Sequence, residues 1–334
     1  MSDNVLLAHG SGGRLSHDLI EKKLPPPLAN PMLNRLDDSA TFEFSGHLAF
    51  TTDSYVVNPI FFPGGDIGKL AICGTVNDLS MNGAKPLYLS LSLILEEGFS
   101  LSELDRIVGS IKAAAEEAEV RIITGDTKVV NQGQADKLFI NTSGIGAVPL
   151  GIDISGANAR AGDKIILSGT IGDHGIAVMC QREGFKFSTP VQSDCAPLNK
   201  LVSQMLKSSP RIHCLRDPTR GGLATVLNEF TQQSNVGIVL EEDKIPIKES
   251  VKAACELLGF DPLYLANEGK LVAIAEPGDA GKILAEMQQN IYGRDAAIIG
   301  EVSNAHPGMV LMKTKLGPSR VVDMLSGELL PRIC

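Results

Sequence analysis

Strand-like and helix-like segments alternate along nearly the whole of this 334-residue chain. The segments LAFTTDSYVV (48–57) and KLFINTSGIGAV (137–148) are each predicted to form a strand. Between them, residues 100–118 are predicted to form a helix, with Ser100 and Glu103 as a capping box. The apolar residues at helical spacing in this segment are Leu101, Leu104, Ile107, Val108 and Ile111. This alternation predicts an α/β (α+β) fold.

The chain is too long for one ordinary hydrophobic core, so two domains are expected. The segment PLGIDISGANARAGD is rich in glycine, proline and small residues, and it predicts the domain boundary. We predict an N-terminal α/β domain over 1–153, a C-terminal α/β domain over 154–320 and a flexible tail over 321–334. The elements predicted in the second domain are the strands KIILSG, LVAIAE and AAIIGEV and helices near 175–183, 196–207 and 220–233, with a further helix between the last two strands.

Composition excludes several classes of function. The net charge of −9, the absence of Trp and an aromatic content of 4% argue against nucleic-acid binding. The N-terminus lacks the basic segment of a signal peptide, and no stretch approaches the about 18 apolar residues of a membrane helix. The six cysteines form no CxxC motif, which is typical of reduced thiols in a cytosol. We therefore expect a cytoplasmic protein without a nucleic-acid or membrane partner.

The sequence ends in PRIC, so the last residue carries both a thiol and the main-chain carboxylate. Prenylation is excluded because Pro331 occupies the position where that modification needs a cysteine. In an arbitrary protein Cys334 would be an unimportant frayed end. The weak pattern of the residues before it, however, makes a swinging C-terminus physically possible, and Cys334 is the one cysteine not expected in a core.

Aspartates recur where a strand disfavours them. RLDDSATF supplies Asp37 and Asp38, FTTDSYVV supplies Asp53, and GTVNDLSMNGAKP, interpreted as a glycine-bounded loop, supplies Asp78. A turn or helix cap would explain Asp37 and Asp38 but explains Asp53 poorly. Hard oxygen ligands gathered from several segments suit Mg²⁺, which leaves coordination positions for phosphate oxygens.

Four glycine-rich segments, interpreted as loops, accompany these acids: HGSGGR (9–14), FPGGDIGK (62–69), TGDTKVV (124–130) and RDPTRGGL (216–223). None contains a Walker A motif, and Leu15 breaks the dinucleotide-binding pattern of the first. In the last segment the glycines directly precede a predicted amphipathic helix, whose N-terminus would attract an anion. Each loop alone is compatible with a simple turn, but the set favours a nucleoside triphosphate bound without a P-loop.

The motifs DDSA, TTDS, FPGGDIG, NDLSMNGAKP, GDTKVV, RDPTRGGL, NEG and PRIC follow in order along essentially the whole chain. Together they resemble the ATP-dependent family that includes aminoimidazole ribonucleotide synthetase, selenophosphate synthetase and thiamine-monophosphate kinase. Within it, the sequence is similar to the carbamoyl dehydratase branch of [NiFe]-hydrogenase maturation, because the other branches do not end in PRIC. The selenophosphate branch carries a reactive cysteine or selenocysteine beside its first loop, where this chain has AHGSGGR.

The resemblance implies a function. The C-terminal thiol would receive a carbamoyl group from a partner carbamoyltransferase, HypF, and ATP would drive dehydration of this S-carboxamide to a thiocyanate. The cyanide would then become a ligand of iron, with the HypC–HypD complex as a further partner. The family also implies a homodimer in which the N-terminal sheets pair to form a barrel, with ATP between the domains.

The resemblance also assigns roles to single residues. Asp53 and Asp78 would hold Mg²⁺, with Asp37, Asp38 or Asp217 completing the shell. The residues expected to bind ATP are Asn77, Gly125, Asp126, Thr127, Lys128, Arg220 and Gly221.

The catalytic group would comprise Cys334, Lys128, Glu268 and the metal-binding Asp78. Cys334 would carry the carbamoyl group, Lys128 would stabilise the transferring phosphoryl group, and Glu268 would remove the amide protons. Plainer interpretations are a surface lysine for Lys128 and a solvated residue at the start of a strand for Glu268. His174 has no partner that the sequence can name, and a structural or supporting role is expected.

Two other functions are compatible with these residues. One is a different ATP-dependent enzyme of the same fold that acts on a small metabolite, with PRIC incidental; a test of whether ATPase activity depends on the tail would distinguish it. The other is a non-catalytic metal-delivery scaffold with Cys334 as a soft ligand. Because soft-metal sites use several ligands, the lack of a second cysteine or histidine near the tail argues against it.

Overall fold

Each half of the chain builds its own β-sheet, as the alternating pattern predicted. The computed structural model describes residues 4–6, 19, 23, 25–35, 42–185, 190–325 and 332–334. The predicted residues Asp37 and Asp38 and the glycine-rich segment 9–14 lie outside these ranges. Within them, no helix is long and apolar enough to cross a membrane.

The first sheet has four strands in the order β1–β6–β4–β5. Strand β6 is antiparallel to β1 and β4, whereas β4 and β5 are parallel. Two long helices, α2 and α3, pack against each other, and α2 lies on the sheet. The elements are α1 (Pro25–Leu28), a 3₁₀ turn (Leu33–Arg35), β1 (His47–Tyr55), β2 (Phe61–Phe62), β3 (Gly65–Asp66), α2 (Ile67–Met81), β4 (Lys85–Glu96), α3 (Leu101–Ala118), β5 (Arg121–Val130) and β6 (Leu138–Val148).

Helix α2 is buried along nearly its whole length, because its sequence is apolar or small on almost every side. Asp66 caps its N-terminus by accepting two main-chain hydrogen bonds from the first turn. Gly74 allows β1 to approach closely, since a Cβ there would lie 2.3 Å from the Tyr55 hydroxyl. The interpretation of GTVNDLSMNGAKP as a loop was therefore wrong: Asp78 lies in the last turn of α2.

The helix predicted from the spacing of residues 100–118 is confirmed as α3, but its capping box is not formed. Ser100 makes no side-chain cap hydrogen bond, and its hydroxyl contacts that of Ser102 at 2.8 Å instead. Likewise TGDTKVV forms most of strand β5, not a loop. Gly125 suits this strand because a Cβ there would lie 2.3 Å from the Leu91 carbonyl oxygen of β4.

The second sheet has seven strands in the order β13–β12–β9–β11–β7–β10–β8. All neighbouring strands are antiparallel except β9 and β12. Helix α6 packs on one face, and α5 and α8 pack on the other. The elements are β7 (Lys164–Leu167), α4 (Asp173–Glu183), α5 (Asn199–Ser208), β8 (Ile212–Arg216), α6 (Gly222–Ser234), β9 (Gly237–Glu241), α7 (Glu249–Leu258), β10 (Val272–Ala275), α8 (Pro277–Gln289), β11 (Ala297–Ser303), β12 (Val310–Lys313) and β13 (Ser319–Val321).

Candidate functional site

A cleft of about 440 Å³ lies where the end of α2 faces the turn between β8 and α6. It is lined from both domains, with Asp78 contributed by the first and Asp217 and Arg220 by the second. The hydroxyl of Thr51, on β1, donates a hydrogen bond to Asp78 Oδ2 at 3.0 Å. The fold thus brings two predicted metal-binding carboxylates and one predicted nucleotide-binding arginine to the same cavity.

Three of the predicted metal ligands influence one another electrostatically. Burial raises the pKa of Asp78 to about 6; the Thr51 hydrogen bond opposes this rise, and the charge of Asp53 adds to it. Burial and then the charge of Asp78 raise the pKa of Asp217. Carboxylates that disfavour each other's charge are a suitable environment for a cation. Within the described ranges, however, no three His, Cys, Asp or Glu side chains lie close enough to hold a metal alone.

The turn between β8 and α6 depends on two glycines. Gly221 and Gly222 have φ angles of +77° and +61°, which side chains rarely adopt. A Cβ on Gly222 would also lie 2.6 Å from the Leu263 carbonyl oxygen. This turn presents the N-terminus of α6 beside the cleft, and the buried hydroxyl of Thr225 in its first turn has no hydrogen-bond partner among the described residues. Such a terminus favours an anion such as a phosphate.

The last residue of the chain lies in a buried position beside Glu268 and Arg220. Cys334 is only 7% exposed, and the Arg220 guanidinium lies within hydrogen-bonding reach of its thiol. Burial, together with the negative charge of Glu268, raises the pKa of the Cys334 thiol to about 12, although Arg220 opposes this rise. The docked thiol is therefore protonated at neutral pH. The expectation that Cys334 lies outside a core was wrong.

Glu268 is a buried carboxyl group without a hydrogen-bond partner on Oε1 among the described residues. The residue is 3% exposed, so the interpretation as a solvated residue at the start of a strand was wrong. Burial raises its pKa well above the usual range, and the nearby Cys195 and Asp217 add to the effect. A buried carboxyl group without a hydrogen-bond partner destabilises the folded state. Its presence therefore indicates a functional role, and proton transfer is a candidate.

Hydrogen bonds hold the last three residues in place. The main-chain N–H of Asn58 donates to the Arg332 carbonyl oxygen at 3.1 Å, and that of Val56 donates to a C-terminal carboxylate oxygen of Cys334 at 3.3 Å. Arg182, on α4, donates to the Arg332 carbonyl oxygen at 2.8 Å. Ile333 is buried and packs in the core of the first domain. The structure thus contains a specific binding site for the C-terminus of its own chain.

Comparison with known proteins identifies the family. The AIR synthase related protein N-terminal domain matches residues 36–148, and the corresponding C-terminal domain matches residues 160–312. The carbamoyl dehydratase HypE of Cupriavidus necator is 54% identical over 335 aligned residues, covering 100% of this chain and 95% of that protein. The chain belongs to the HypE family.

Solved HypE structures share the fold of this HypE-family chain. A hydrogenase maturation protein HypE crystallised in complex with ATP has a TM-score of 0.96 at 50% identity, covering 98% of this chain and 99% of that one. A chain from the crystal structure of a HypE–HypF complex has a TM-score of 0.82 at 50% identity, with coverage of 94% and 100%. These likenesses confirm the two-domain mixed α/β fold and the family resemblance predicted from the sequence.

Asn77 of the HypE-family chain, which the sequence predicts to bind ATP, forms hydrogen bonds that join α2 to segments of the second domain. Its amide nitrogen donates to the carbonyl oxygens of Ala196 and Glu268 at 3.1 and 3.3 Å, and its oxygen accepts from the Leu198 N–H at 2.8 Å. These three hydrogen bonds use both the nitrogen and the oxygen of the buried side-chain amide. We therefore assign Asn77 to holding the Glu268 segment against α2, a role that depends on contacts distant in sequence.

The predicted nucleotide-binding segment 125–128 lies away from the cleft and is not among the described residues that line it. Lys128 and Asp126 form an ion pair at 3.1 Å on the edge strand β5. Both side chains are largely exposed, at 65% and 59%. One chain alone therefore does not place Lys128 beside Cys334 and Glu268.

Proposed function

We propose that this HypE-family chain is an ATP-dependent carbamoyl dehydratase. It would convert an S-carboxamide on Cys334 to a thiocyanate, which supplies cyanide ligands for the iron of [NiFe]-hydrogenase. The observation that carries this proposal is the position of Cys334. Its thiol lies buried beside the unpartnered carboxyl group of Glu268 and beside Arg220, which also lines the interdomain cleft.

Loading of the carrier requires the tail to leave its site. A thiol that is buried and has a pKa of about 12 is a poor nucleophile, because the thiolate is the reactive form. In the undocked state, the Cys334 thiol loses its proton to solvent and the thiolate attacks the carbon of the activated carbamoyl group presented by HypF. The bond from that carbon to its phosphate-type activating group breaks, the activating group leaves, and Cys334 becomes an S-carboxamide. The likeness to a chain of a HypE–HypF complex supports HypF as this partner.

Dehydration follows when the loaded tail returns. The carboxamide oxygen attacks the γ-phosphorus of ATP, the bond to the leaving ADP breaks, and one N–H proton passes to solvent. Glu268 accepts the remaining N–H proton as the C–O bond to phosphate breaks, which leaves a C≡N group on sulfur. The products are thiocyanate, ADP and phosphate. Burial raises the pKa of Glu268, so in its ionised form this carboxylate is a stronger base than an exposed one and favours this step.

Phosphate charge must be balanced during transfer. Arg220 and the N-terminus of α6 line the cleft and provide part of the positive charge that stabilises the phosphoryl group. Asp53, Asp78 and Asp217 are the residues that would hold Mg²⁺ together with phosphate oxygens, because the repulsion among their negative charges favours a hard cation between them. When bound, Mg²⁺ would neutralise phosphate oxygens.

We also propose a homodimer. The first domain leaves apolar side chains exposed on β1, with Leu48 47% and Phe50 70% exposed, and such a surface favours association. Pairing of two N-terminal sheets into a barrel would cover these residues and complete the ATP site with Lys128. The family resemblance supports delivery of the cyanide to HypC–HypD in the cytoplasm.

Mass spectrometry tests the proposed reaction directly. The chain is incubated with HypF, carbamoyl phosphate and ATP, and the C-terminal peptide is weighed over time. We expect the mass to rise by one carbamoyl group on Cys334 and then to fall by one water only when ATP hydrolysis is possible. A non-hydrolysable ATP analogue is the control. Dehydration that proceeds equally with the analogue would contradict the proposal.

Asp78→Asn is expected to lower ATP turnover by about a hundredfold or more, because metal-assisted charge stabilisation is worth several kcal/mol. The melting temperature should not fall. Burial raises the pKa of Asp78 to about 6, so its charge destabilises the fold at neutral pH. The measurement is Mg²⁺-dependent phosphate release together with thermal unfolding. The exposed Asp105, paired with Lys23, provides the control Asp105→Asn. Unchanged hydrolysis in Asp78→Asn would refute the metal assignment.

A further inference from the structure

His174, at the start of α4, is fully buried and contacts the tail through one ring nitrogen. Its Nε2 lies 2.8 Å from the Ile333 carbonyl oxygen, and its Nδ1 lies 2.8 Å from the Ser193 hydroxyl oxygen. A carbonyl oxygen only accepts, so Nε2 carries the hydrogen. In the neutral ring Nδ1 then accepts from the Ser193 hydroxyl, whose oxygen itself accepts from the Cys195 N–H at 3.1 Å.

The surroundings of the ring keep it neutral and fixed. Burial lowers the pKa of His174, although the nearby Asp194 and the Ile333 carbonyl oppose this. The ring of Phe62 meets the imidazole edge to face, with centroids 5.3 Å apart. The contacts with Ser193 and Phe62 thus restrict the imidazole to one orientation, in which Nε2–H points at the Ile333 carbonyl oxygen.

A hydrogen bond to the Ile333 carbonyl oxygen restrains the position of Cys334 directly, because this carbonyl belongs to the peptide unit that joins the two residues. On either side of it, the Arg332 carbonyl oxygen accepts from Arg182 and from the Asn58 N–H, and the C-terminal carboxylate of Cys334 accepts from the Val56 N–H. A peptide plane fixed at Ile333 sets where the next side chain points. A displacement of about 1 Å at a reacting centre can reduce a rate by about a hundredfold.

We propose that His174 is a positioning residue: its Nε2–H fixes the Ile333 peptide and thereby holds the Cys334 side chain in its buried site near Arg220 and Glu268. The role in orienting a carbamoyl group rests on the proposed function. The role in docking the free thiol does not, and it can be measured without HypF or ATP.

The first experiment measures how often the tail is undocked. Docked Cys334 is buried and protonated, so alkylation by iodoacetamide proceeds from the undocked state, and the C-terminal peptide is quantified by mass spectrometry. His174→Phe keeps an aromatic ring but removes the donor. We expect alkylation of Cys334 to become about tenfold faster, as the loss of one buried hydrogen bond predicts. His174→Gln, which keeps an N–H donor at similar reach, should stay within about threefold of the original chain.

Two further variants separate positioning from general destabilisation. His213, a largely buried histidine of the same domain that contacts Asp163 at 2.7 Å, provides the control His213→Phe, which should leave Cys334 alkylation within about twofold. Ser193→Ala releases the ring and should accelerate alkylation about threefold even if His174→Phe fails to fold. An unchanged rate in Ser193→Ala, or equal acceleration by His213→Phe, would overturn the proposal.

The second experiment follows single-turnover dehydration of chains already loaded by HypF. His174→Phe should slow thiocyanate formation about tenfold or more. The loading rate should not fall, and it should rise by up to the factor seen in alkylation, because loading occurs with the tail undocked; ATP affinity should stay unchanged. A slowed loading step with unchanged dehydration would refute the positioning role. If no chain is loaded at all, the proposed function fails, while the alkylation result still decides the docking role.

Discussion

Cys334→Ala is expected to abolish transfer of a carbamoyl group to the chain, while both domains and ATP binding are retained. The reason is that no other thiol can replace it. The other cysteines lie on helices, on a strand or in a core loop, and four of the five are fully buried. The expected cost to tail docking is about 1 kcal/mol, because the side chain leaves a buried site. Mass spectrometry of the variant after incubation with HypF, carbamoyl phosphate and ATP checks the result.

Cys214→Ala is the matched control, because Cys214 is an equally buried thiol in the core of the second domain. It should accept the carbamoyl group and dehydrate it at rates close to those of the original chain. A carbamoyl or cyano mass on Cys334→Ala would show that the C-terminal thiol is not the carrier.

Glu268→Gln is expected to bind ATP and accept the carbamoyl group but to form thiocyanate about a hundredfold more slowly or worse. General base catalysis contributes about 10²–10⁴-fold, and glutamine cannot accept the amide proton. The S-carboxamide should therefore accumulate on Cys334. The thermal stability should be retained or rise, since a buried carboxyl with a strongly raised pKa is replaced by a neutral amide.

The measurement is a single-turnover time course from the loaded chain, with the carboxamide and thiocyanate forms separated by mass. Glu276→Gln, at an exposed carboxylate paired with Arg211, is the control. If thiocyanate formation in Glu268→Gln stays within about threefold of the original rate, Glu268 is not the base.

Local sequence patterns predicted most of the secondary structure. The helix over 100–118 and the strands over 48–57 and 137–148 appear within two residues of their expected bounds. Helix α2 was missed because it is buried on nearly all sides and therefore shows no amphipathic period. A glycine-rich sequence can form a helix when close packing, as of Gly74 against Tyr55, requires the absence of a side chain.

Candidate site residues could be predicted from the sequence only where they belong to a recognisable motif. The C-terminal PRIC and the segment NEG pointed to Cys334 and Glu268, and the fold brings both together. The contacts of Asn77 with Ala196 and Glu268 join residues more than a hundred positions apart, so no local pattern could reveal them. The same holds for His174 and Ile333, which are separated by 159 positions.

The docked C-terminus is a peptide ligand that is covalently tethered to its own receptor. Seven positions separate residue 325 on the second domain from Arg332, which limits the tether to roughly 25 Å. A tether of this length holds the ligand at an effective concentration on the order of millimolar. A site whose dissociation constant for a free peptide is on the order of 10 µM would therefore be almost completely filled by this tail. Such a weak intrinsic affinity also lets a partner protein compete for the terminal cysteine, so the short tether makes docking and release compatible.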